Sequence, residues 1–232
     1  YNWDAMKAEN YAWWKRRFHK LHEQVDIIRI DHFRAFESYW SVDGKATTAI
    51  NGRWLKGPGK PFFDEIEREL GEMNIVAEDL GIITSEVERL RDDCGFPGMK
   101  IVHFMLEPNE SGRVGFVTPE NSIIYTGTHD NNTTVGWFTH DIDEVLRETL
   151  ANMTGTTTDR PKTICKRLIK AAYASRARMA IIPMQDLLAL DERARMNTPG
   201  TVGINWRWSL KKDYLLELDP KKLKALCVRY HR

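Results

Sequence analysis

The sequence predicts an α/β fold made of parallel strands, and three observations support this prediction. Five short segments rich in Ile and Val are bounded by polar or Gly-containing turns, as buried strands are. Segments with helical spacing of apolar residues lie between them, so strand and helix alternate. Nearly every apolar segment ends in Asp, Glu, His or Gln, at the end where (β/α)8 TIM barrels assemble their active sites. We therefore favour the barrel over a doubly wound open sheet, which the alternation also allows.

The predicted strands are residues 25–30, 75–77, 99–104, 122–125 and 179–184. A closed barrel of about 250 residues has eight strands. We therefore expect residues 1–232 to be the C-terminal part of a barrel domain, with about five βα units and about three earlier strands missing.

Residues 43–63 contain several glycines and predict a long loop. Trp13 and Trp14 lie in a helical segment and are expected in the core.

The composition limits the classes of partner and location. Lys and Arg number 34 and Asp and Glu 33, and neither sign forms a long block, so we expect no nucleic-acid or membrane partner. No apolar segment approaches the roughly 18 to 20 residues that span a bilayer. Cys94, Cys165 and Cys227 are far apart and not in metal-like pairs, which favours a reducing, cytoplasmic location.

Polar motifs follow the first two predicted strands. The first is RIDHFR at residues 29–34, where strand alternation puts Arg29 and Asp31 on the same side, so the cation keeps the carboxylate ionised and oriented. A glycosyl nucleophile needs such a carboxylate, although Asp31 could equally cap the next helix. The second is AEDLG at residues 77–81, where Glu78 could hold and donate a proton in a partly apolar cleft. A solvated turn is the alternative there.

A third motif, TGTHDNNT at residues 126–133, follows the fourth strand. His129 and Asp130 could hold sugar hydroxyls by charge-assisted hydrogen bonds, and an Asn- and Asp-rich turn is the alternative.

One fold rule places all three motifs at the same face of a barrel. Retaining glycosidases use two carboxylates about 5 to 5.5 Å apart, which Asp31 and Glu78 on neighbouring strands could provide. Trp54, in the Gly-rich segment, is a candidate for stacking on a sugar ring.

Two other classes of function remain open from the residues alone. A metal-dependent barrel hydrolase is suggested by polar residues at strand ends, although the chain has no His-x-His pair and no HExxH motif. A non-catalytic carbohydrate-binding or structural fragment is the second class. The residues that suggest a metal site are His32, His103, His129 and Asp130.

Ordered motifs along nearly the whole chain resemble glycoside hydrolase family 77, the 4-α-glucanotransferases or amylomaltases. They are NWD (2–4), VD (25–26), RIDHFR (29–34), GRW (52–54), GPG (57–59), AEDLG (77–81), GFPGMK (95–100), YTGTHDN (125–131) and RMNTPG (195–200). The chain departs from the usual family pattern at Ala35, where Gly is common, and at Asn132, where Asp is common.

The resemblance implies a (β/α)8 barrel of the α-amylase clan that transfers α-1,4-glucan segments between maltooligosaccharides without an organic cofactor or catalytic metal. It further implies that an N-terminal subdomain is absent from this chain. A hydrolase of the same clan and an inactive fragment are the alternatives. The roles it implies are nucleophile for Asp31, acid/base for Glu78, third carboxylate for Asp130, orientation of Asp31 for Arg29, and sugar contacts for His129 and Asn197.

Overall fold

A computed structural model of the chain describes residues 1–106 and 117–232. The described residues form two compact units, Tyr1–Met99 and Lys100–Arg232. Each unit has parallel strand pairing, flanking helices and an apolar core. Within the described parts of the chain, no helix combines the length and the apolar character needed to cross a membrane.

The first unit alternates helices with parallel strands and adds one antiparallel hairpin. Its helices are α1 (Trp3–Ala8), α2 (Ala12–His22), α3 (Lys60–Leu70) and α4 (Ser85–Asp93), with a 3₁₀ turn at Phe33–Phe36. Its strands are β1 (Ile28–Ile30), β2 (Ser38–Val42), β3 (Gly52–Lys56), β4 (Ile75–Ala77) and the start of β5 (Gly98–Ile101). β4 lies between β1 and β5 and pairs in parallel with both.

The register of β1 against β4 determines which residues lie side by side after the ends of the two strands. Ile30 lies opposite Ala77, the last pair of the ladder. The backbone pairing continues beyond it, since Glu78 N donates to Ile30 O at 2.9 Å and Phe33 N donates to Glu78 O at 3.0 Å. Asp31 and Glu78 therefore follow the ends of adjacent parallel strands, which lie about 4.8 Å apart.

Aromatic side chains form much of the core of the first unit. α3 buries Phe62, Phe63 and Ile66. The ring of Phe62 meets Trp14 of α2 edge to face, with centroids 5.5 Å apart, and Phe63 stacks on Phe33 at 5.7 Å. Burying one such side chain contributes about 1.5 to 3 kcal/mol. These contacts hold the helices against the segment that follows β1.

A buried ion pair fixes the turn after β4. The side chain of Asp79 is 2% exposed, pairs with Arg91 of α4 and accepts a hydrogen bond from Met99 N at 2.7 Å. A Cβ atom at Gly98 would lie 2.5 Å from Oδ2 of Asp79. Close approach of the carboxylate therefore restricts position 98 to glycine.

The second unit pairs β6 (Ser122–Tyr125) in parallel with β7 (Met179–Ile181). Its core includes the fully buried Ile124, Leu150 and Ile164. Its helices are α5 (Val102–Met105), α6 (Thr134–Gly136), α7 (Glu144–Thr154), α8 (Pro161–Ala174), α9 (Met184–Leu187), α10 (Lys212–Glu217) and α11 (Pro220–Arg229), with a π turn at Trp137–Asp141 and a 3₁₀ turn at Glu192–Ala194.

The predicted strands are present, but three are shorter than predicted. β1 begins at Ile28, because Val25 and Ile27 are exposed and precede the pairing with β4. β5 ends at Ile101, and the predicted continuation to residue 104 is part of α5. β7 ends at Ile181, before α9. Apolar character alone does not separate a buried strand from a buried helical turn, which explains the wrong end of β5.

The prediction of a loop over residues 43–63 was wrong in part. β3 pairs with β2 as an antiparallel hairpin with Trp40 opposite Trp54, and α3 begins within the same range. The two indole centroids are 5.5 Å apart, and cross-strand aromatic pairs of this kind stabilise a hairpin. Gly52 and Gly57 mark the ends of β3, and Gly59 precedes α3.

The two adjacent tryptophans of α2 have different environments. Trp14 is 8% exposed and belongs to the core, as predicted, whereas Trp13 is 41% exposed. Neighbouring residues on a helix point in directions about 100° apart, so a one-sided helix buries only one of them. The core prediction for Trp13 was therefore wrong.

Gly98→Ala is expected to lower the free energy of unfolding by about 1 to 3 kcal/mol, because the added methyl group would overpack the Asp79–Arg91 pair. Gly44→Ala is the matched control, since no atom lies within 4 Å of the Cβ position there. Urea unfolding followed by circular dichroism measures both variants. Equal stability of the two variants would contradict the packing argument.

Candidate active site

Asp31 lies at the carboxyl end of β1 and forms the ion pair expected from strand alternation. Its Oδ1 atom is 2.9 Å from Nη2 of Arg29. The guanidinium is held in turn, because Nε of Arg29 contacts Sδ of Met99 at 3.2 Å. The side chain of Asp31 remains 77% exposed. The carboxylate is thus oriented by a fixed cation and is open to a ligand.

Glu78 lies at the carboxyl end of β4, and backbone amides hold both of its carboxylate oxygens. Oε2 accepts from His32 N at 2.7 Å, and Oε1 accepts from Leu80 N at 2.8 Å. His32 has a φ of 50°, in the left-handed region that non-glycine residues seldom adopt. This backbone turn directs the N–H of the residue after Asp31 to the carboxylate of Glu78. The two carboxylates are therefore linked through one strained residue.

A cleft of about 420 Å³ adjoins Asp31. Flat aromatic rings in such a cleft suit the apolar faces of sugars. Glu78 and Trp54 are not among its lining residues. Those that line it include Arg29, Asp31, His32, Trp3, Trp14, Phe36 and Tyr39.

Trp54 lies on β3, in the hairpin, with its side chain 54% exposed. The guanidinium of Arg34 lies 4.3 Å from the Trp54 ring centre, a cation–π distance. Arg34 also donates to the carbonyl of Ile82, in the loop after Glu78. Arg34 thereby connects the hairpin with that loop, a role that the RIDHFR motif alone did not indicate.

Asp130 follows β6 in the second unit and is held by the RMNTPG segment. Its Oδ1 atom accepts from Nδ2 of Asn197 at 2.6 Å, and its backbone carbonyl accepts from Nη2 of Arg195 at 2.7 Å. Its other oxygen, Oδ2, lies 3.5 Å from Nε2 of His129. Asn197 N also donates to the His129 carbonyl at 3.1 Å. The structure therefore brings three predicted residues together, with Asn197 orienting the carboxylate of Asp130.

Trp206 is a neighbour of this group that the sequence interpretation missed. Its ring centroid lies 5.1 Å from that of His129, and the residue is 58% exposed. The reasoning applied to Trp54, an aromatic residue in a Gly-containing segment, could have identified it. Gly200 and Gly203 precede Trp206 in the same way.

A buried polar network lies beneath the Asp130 loop. The carboxylate of Asp186 accepts hydrogen bonds from the hydroxyl of Thr126, and from the N–H and hydroxyl of Thr134, both at 2.7 Å. Thr126 and Thr134 flank the loop that carries His129 and Asp130. Burial raises the pKa of Asp186, and these hydrogen bonds oppose the rise. One carboxylate therefore fixes both ends of the loop.

The same network sets the tautomer of His103. Nε2 of His103 lies 3.0 Å from Oγ1 of Thr134, whose single proton goes to Asp186. Nε2 must therefore donate, and Nδ1 is an acceptor with no partner among the described residues. The ring stacks on Trp137 at 4.4 Å, and a Cβ at Gly127 would lie 3.1 Å from its Cε1 atom. His103 thus packs directly under the first turn of the loop.

Asn132 lies where the family resemblance led us to expect Asp, and the structure gives a reason for an amide there. Its Nδ2 atom lies 3.2 Å from each carboxylate oxygen of Asp141, and Oδ1 accepts from Thr133 N at 2.9 Å. An Asp at this position would put two carboxylates together and lose the donor. The departure supports the loop locally and leaves Asp130 unchanged.

The histidines that suggested a metal site do not form one in the described residues. Across residues 1–106 and 117–232, no group of three or more His, Cys, Asp or Glu side chains could hold a metal ion. His103 is buried against Trp137, and His129 pairs with Asp130 and Trp206.

Parallel strands with flanking helices and polar residues at their carboxyl ends are typical of the class of α/β, TIM-barrel-like folds. The chain belongs to glycoside hydrolase family 77, because the family model described as 4-alpha-glucanotransferase matches residues 1–215. A 4-alpha-glucanotransferase of Streptococcus pneumoniae serotype 4 is 46% identical over 233 residues, and one of Synechocystis is 45% identical over 218 residues. These matches cover 100% and 93% of this chain, but 46% and 43% of the relatives. The chain spans about half the length of the relatives it matches.

Solved structures agree with this family and fold. Amylomaltase from Streptococcus agalactiae, in complex with acarbose, matches with a TM-score of 0.90 at 36% identity, covering 100% of this chain and 47% of that chain. Amylomaltase from Corynebacterium glutamicum matches 87% of this chain and 34% of its own with a TM-score of 0.71. Its 16% identity makes this second likeness one of fold alone.

The buried imidazole of His103 predicts a pH dependence of stability. Burial lowers the pKa of His103 to about 3, from about 6.5 when unfolded. Between pH 6.5 and pH 3, His103 is protonated in the unfolded chain but neutral in the folded chain. The stability that depends on the neutral imidazole is therefore complete above pH 6.5 and is lost as pH falls toward 3, by up to about 1.4 kcal/mol per pH unit. Asp186 acts in the opposite direction, since its raised pKa favours the folded state at low pH.

His103→Gln is expected to reduce this loss of stability at acidic pH, while the contribution of Asp186 to stability remains. The free energy of unfolding of both proteins, measured from pH 7 to pH 4, gives a difference curve in which only His103 changes. Parallel curves would mean that the imidazole is not buried in its neutral form. His140→Gln is the control, because that imidazole is exposed.

Proposed function

We propose that the chain is the C-terminal part of a (β/α)8 catalytic domain of the α-amylase clan, with about five βα units. The protein would then be a 4-α-glucanotransferase that transfers α-1,4-glucan segments between maltooligosaccharides. The observation that carries this proposal is the linked pair of carboxylates, Asp31 and Glu78, at the ends of adjacent parallel strands in a family 77 chain. Strands about 4.8 Å apart allow carboxylates at their ends to approach the roughly 5 to 5.5 Å that retaining glycoside chemistry needs.

The proposed reaction is a double displacement. Asp31, oriented by Arg29, attacks the anomeric carbon while Glu78 protonates the glycosidic oxygen, and a covalent glycosyl-enzyme results. Each oxygen of Glu78 has a second lone pair beyond the one that its backbone donor occupies, so the carboxyl group can carry the proton without losing its orientation. After the first sugar leaves, Glu78 deprotonates the 4-hydroxyl of the incoming sugar, whose oxygen attacks the anomeric carbon, so that the bond to Asp31 breaks and the Asp31 carboxylate is released.

Asp130 is proposed as the third carboxylate. Asn197 occupies Oδ1 and leaves Oδ2, beside His129, as the acceptor for ring hydroxyls. Charge-assisted hydrogen bonds of this kind strengthen as the oxocarbenium-like transition state forms. In this role Asn197 acts first through Asp130, and any contact with a sugar is additional.

Substrates and location follow from the same proposal. The partners are α-1,4-glucans and maltooligosaccharides, with no organic cofactor or metal in the reaction. Cys94, Cys165 and Cys227 are free, which is consistent with a reducing compartment and supports a cytoplasmic location.

Maltotriose distinguishes the alternatives. The chain alone, and the chain joined to the N-terminal part of the S. pneumoniae relative, are each incubated with maltotriose, and the products are separated by chromatography. Glucose together with longer maltooligosaccharides supports transfer. Glucose with maltose alone indicates the hydrolase, and binding without turnover in both proteins indicates a glucan-binding fragment.

Asp31→Asn is expected to lower the rate of transfer about a thousandfold or more while glucan binding is kept, because it removes the nucleophile. Asp26→Asn makes the same change at the other end of β1, on an exposed residue, and should leave the rate unchanged. Rates are measured with the maltotriose assay in whichever of the two proteins, the chain alone or the joined protein, shows turnover. Near-normal transfer by Asp31→Asn would overturn the assignment.

Glu78→Gln is expected to abolish turnover of maltotriose but to retain some turnover of a glycosyl fluoride, whose leaving group needs no proton. Glu72→Gln, before β4, is the matched control and should preserve both activities. Equal loss with both donors would indicate a structural role for Glu78.

A further inference from the structure

Trp206 combines a strained backbone with a large exposed ring. Its φ of 63° lies in the left-handed region, where a bulky residue is an outlier. Its ring is 58% exposed, so burial in the core does not explain why the strain is kept. Such strain persists at sites where the orientation of a side chain matters for function.

Hydrogen bonds within the segment around Trp206 hold its backbone, and with it the ring, in place. Trp206 N donates to the carbonyl of Met196 at 2.7 Å. The side chain of the preceding Asn205 accepts from Thr198 N at 3.1 Å and donates to Oγ1 of Thr201 at 3.0 Å. The indole is therefore displayed from a fixed loop.

The ring of Trp206 lies beside the acceptor oxygen of the second unit. His129 contacts both groups, with its ring 5.1 Å from the indole centroid and its Nε2 atom 3.5 Å from Oδ2 of Asp130. Asn197 occupies the other oxygen, Oδ1. An apolar aromatic face and a carboxylate oxygen thus occur next to the same imidazole.

A hexopyranose ring matches this pair of features. Its C–H face is apolar and suits an aromatic face, while the hydroxyls at its edge donate to a carboxylate. We propose that Trp206 is a saccharide-stacking residue, which binds a glucosyl ring of the α-glucan next to His129 and Asp130. This inference rests on the proposed function and adds a substrate contact to it.

Calorimetric titration with maltoheptaose tests the inference in an Asp31→Asn background of the chain joined to the N-terminal part of the S. pneumoniae relative, which is expected to bind without turnover. Trp206→Ala is expected to raise the dissociation constant about tenfold or more, and Trp206→Phe to raise it less, because a smaller ring remains. Trp208→Ala is the matched control, since Trp208 stacks instead on Tyr214 at 6.5 Å and should leave the constant unchanged.

Trp206→Gly separates binding from folding. Glycine adopts positive φ without strain, so the thermal midpoint should stay the same or rise, while maltoheptaose binding weakens as in Trp206→Ala. Unchanged binding in both variants, or weaker binding only together with a lower midpoint, would overturn the inference. If the Asp31→Asn protein itself does not bind maltoheptaose, the proposed function fails as well. If that protein binds but the Trp206 variants bind equally well, only the stacking role of Trp206 is rejected.

Discussion

Parallel pairing of β1 with β4 places Ile30 opposite Ala77, and the residues that follow are Asp31 and Glu78. A shift of one residue would move every side chain of a strand to its other face, so this register decides whether the two carboxylates meet. The backbone of His32 extends the constraint, because its N–H reaches Glu78 directly after Asp31. The Asp79–Arg91 pair, the aromatic core and Gly98 all act on the same two strand ends.

Both units use strained non-glycine residues beside their candidate site groups. His32 directs an amide to Glu78, and Trp206 displays a ring beside His129, each with positive φ. In the second unit, the buried carboxylate of Asp186 also supports the loop that carries His129, through Thr126 and Thr134. A buried carboxylate is costly unless its hydrogen bonds are satisfied, so such a network rigidifies the loop above it.

Much of this arrangement was predictable from the sequence, and the limits have physical causes. Strand alternation predicted the Arg29–Asp31 pair, and the polar ends of apolar segments predicted Glu78 and Asp130. The His32 bond to Glu78 was not predictable, because it depends on a backbone angle that sequence spacing does not determine. The contact of Asn197 with Asp130 joins residues far apart in the chain, and the hairpin at Trp40 and Trp54 depends on pairing rather than on local turn residues.

The central claim is that Asp31 and Glu78 act as nucleophile and acid/base at the ends of paired strands. The most direct measurement is the mass of the peptide that carries Asp31, after the Glu78→Gln protein, joined to the N-terminal part of the S. pneumoniae relative, reacts with a maltosyl fluoride. The account predicts a glycosyl adduct on Asp31 and retained configuration in the product. An adduct on another residue, or inverted product without any adduct, would contradict it.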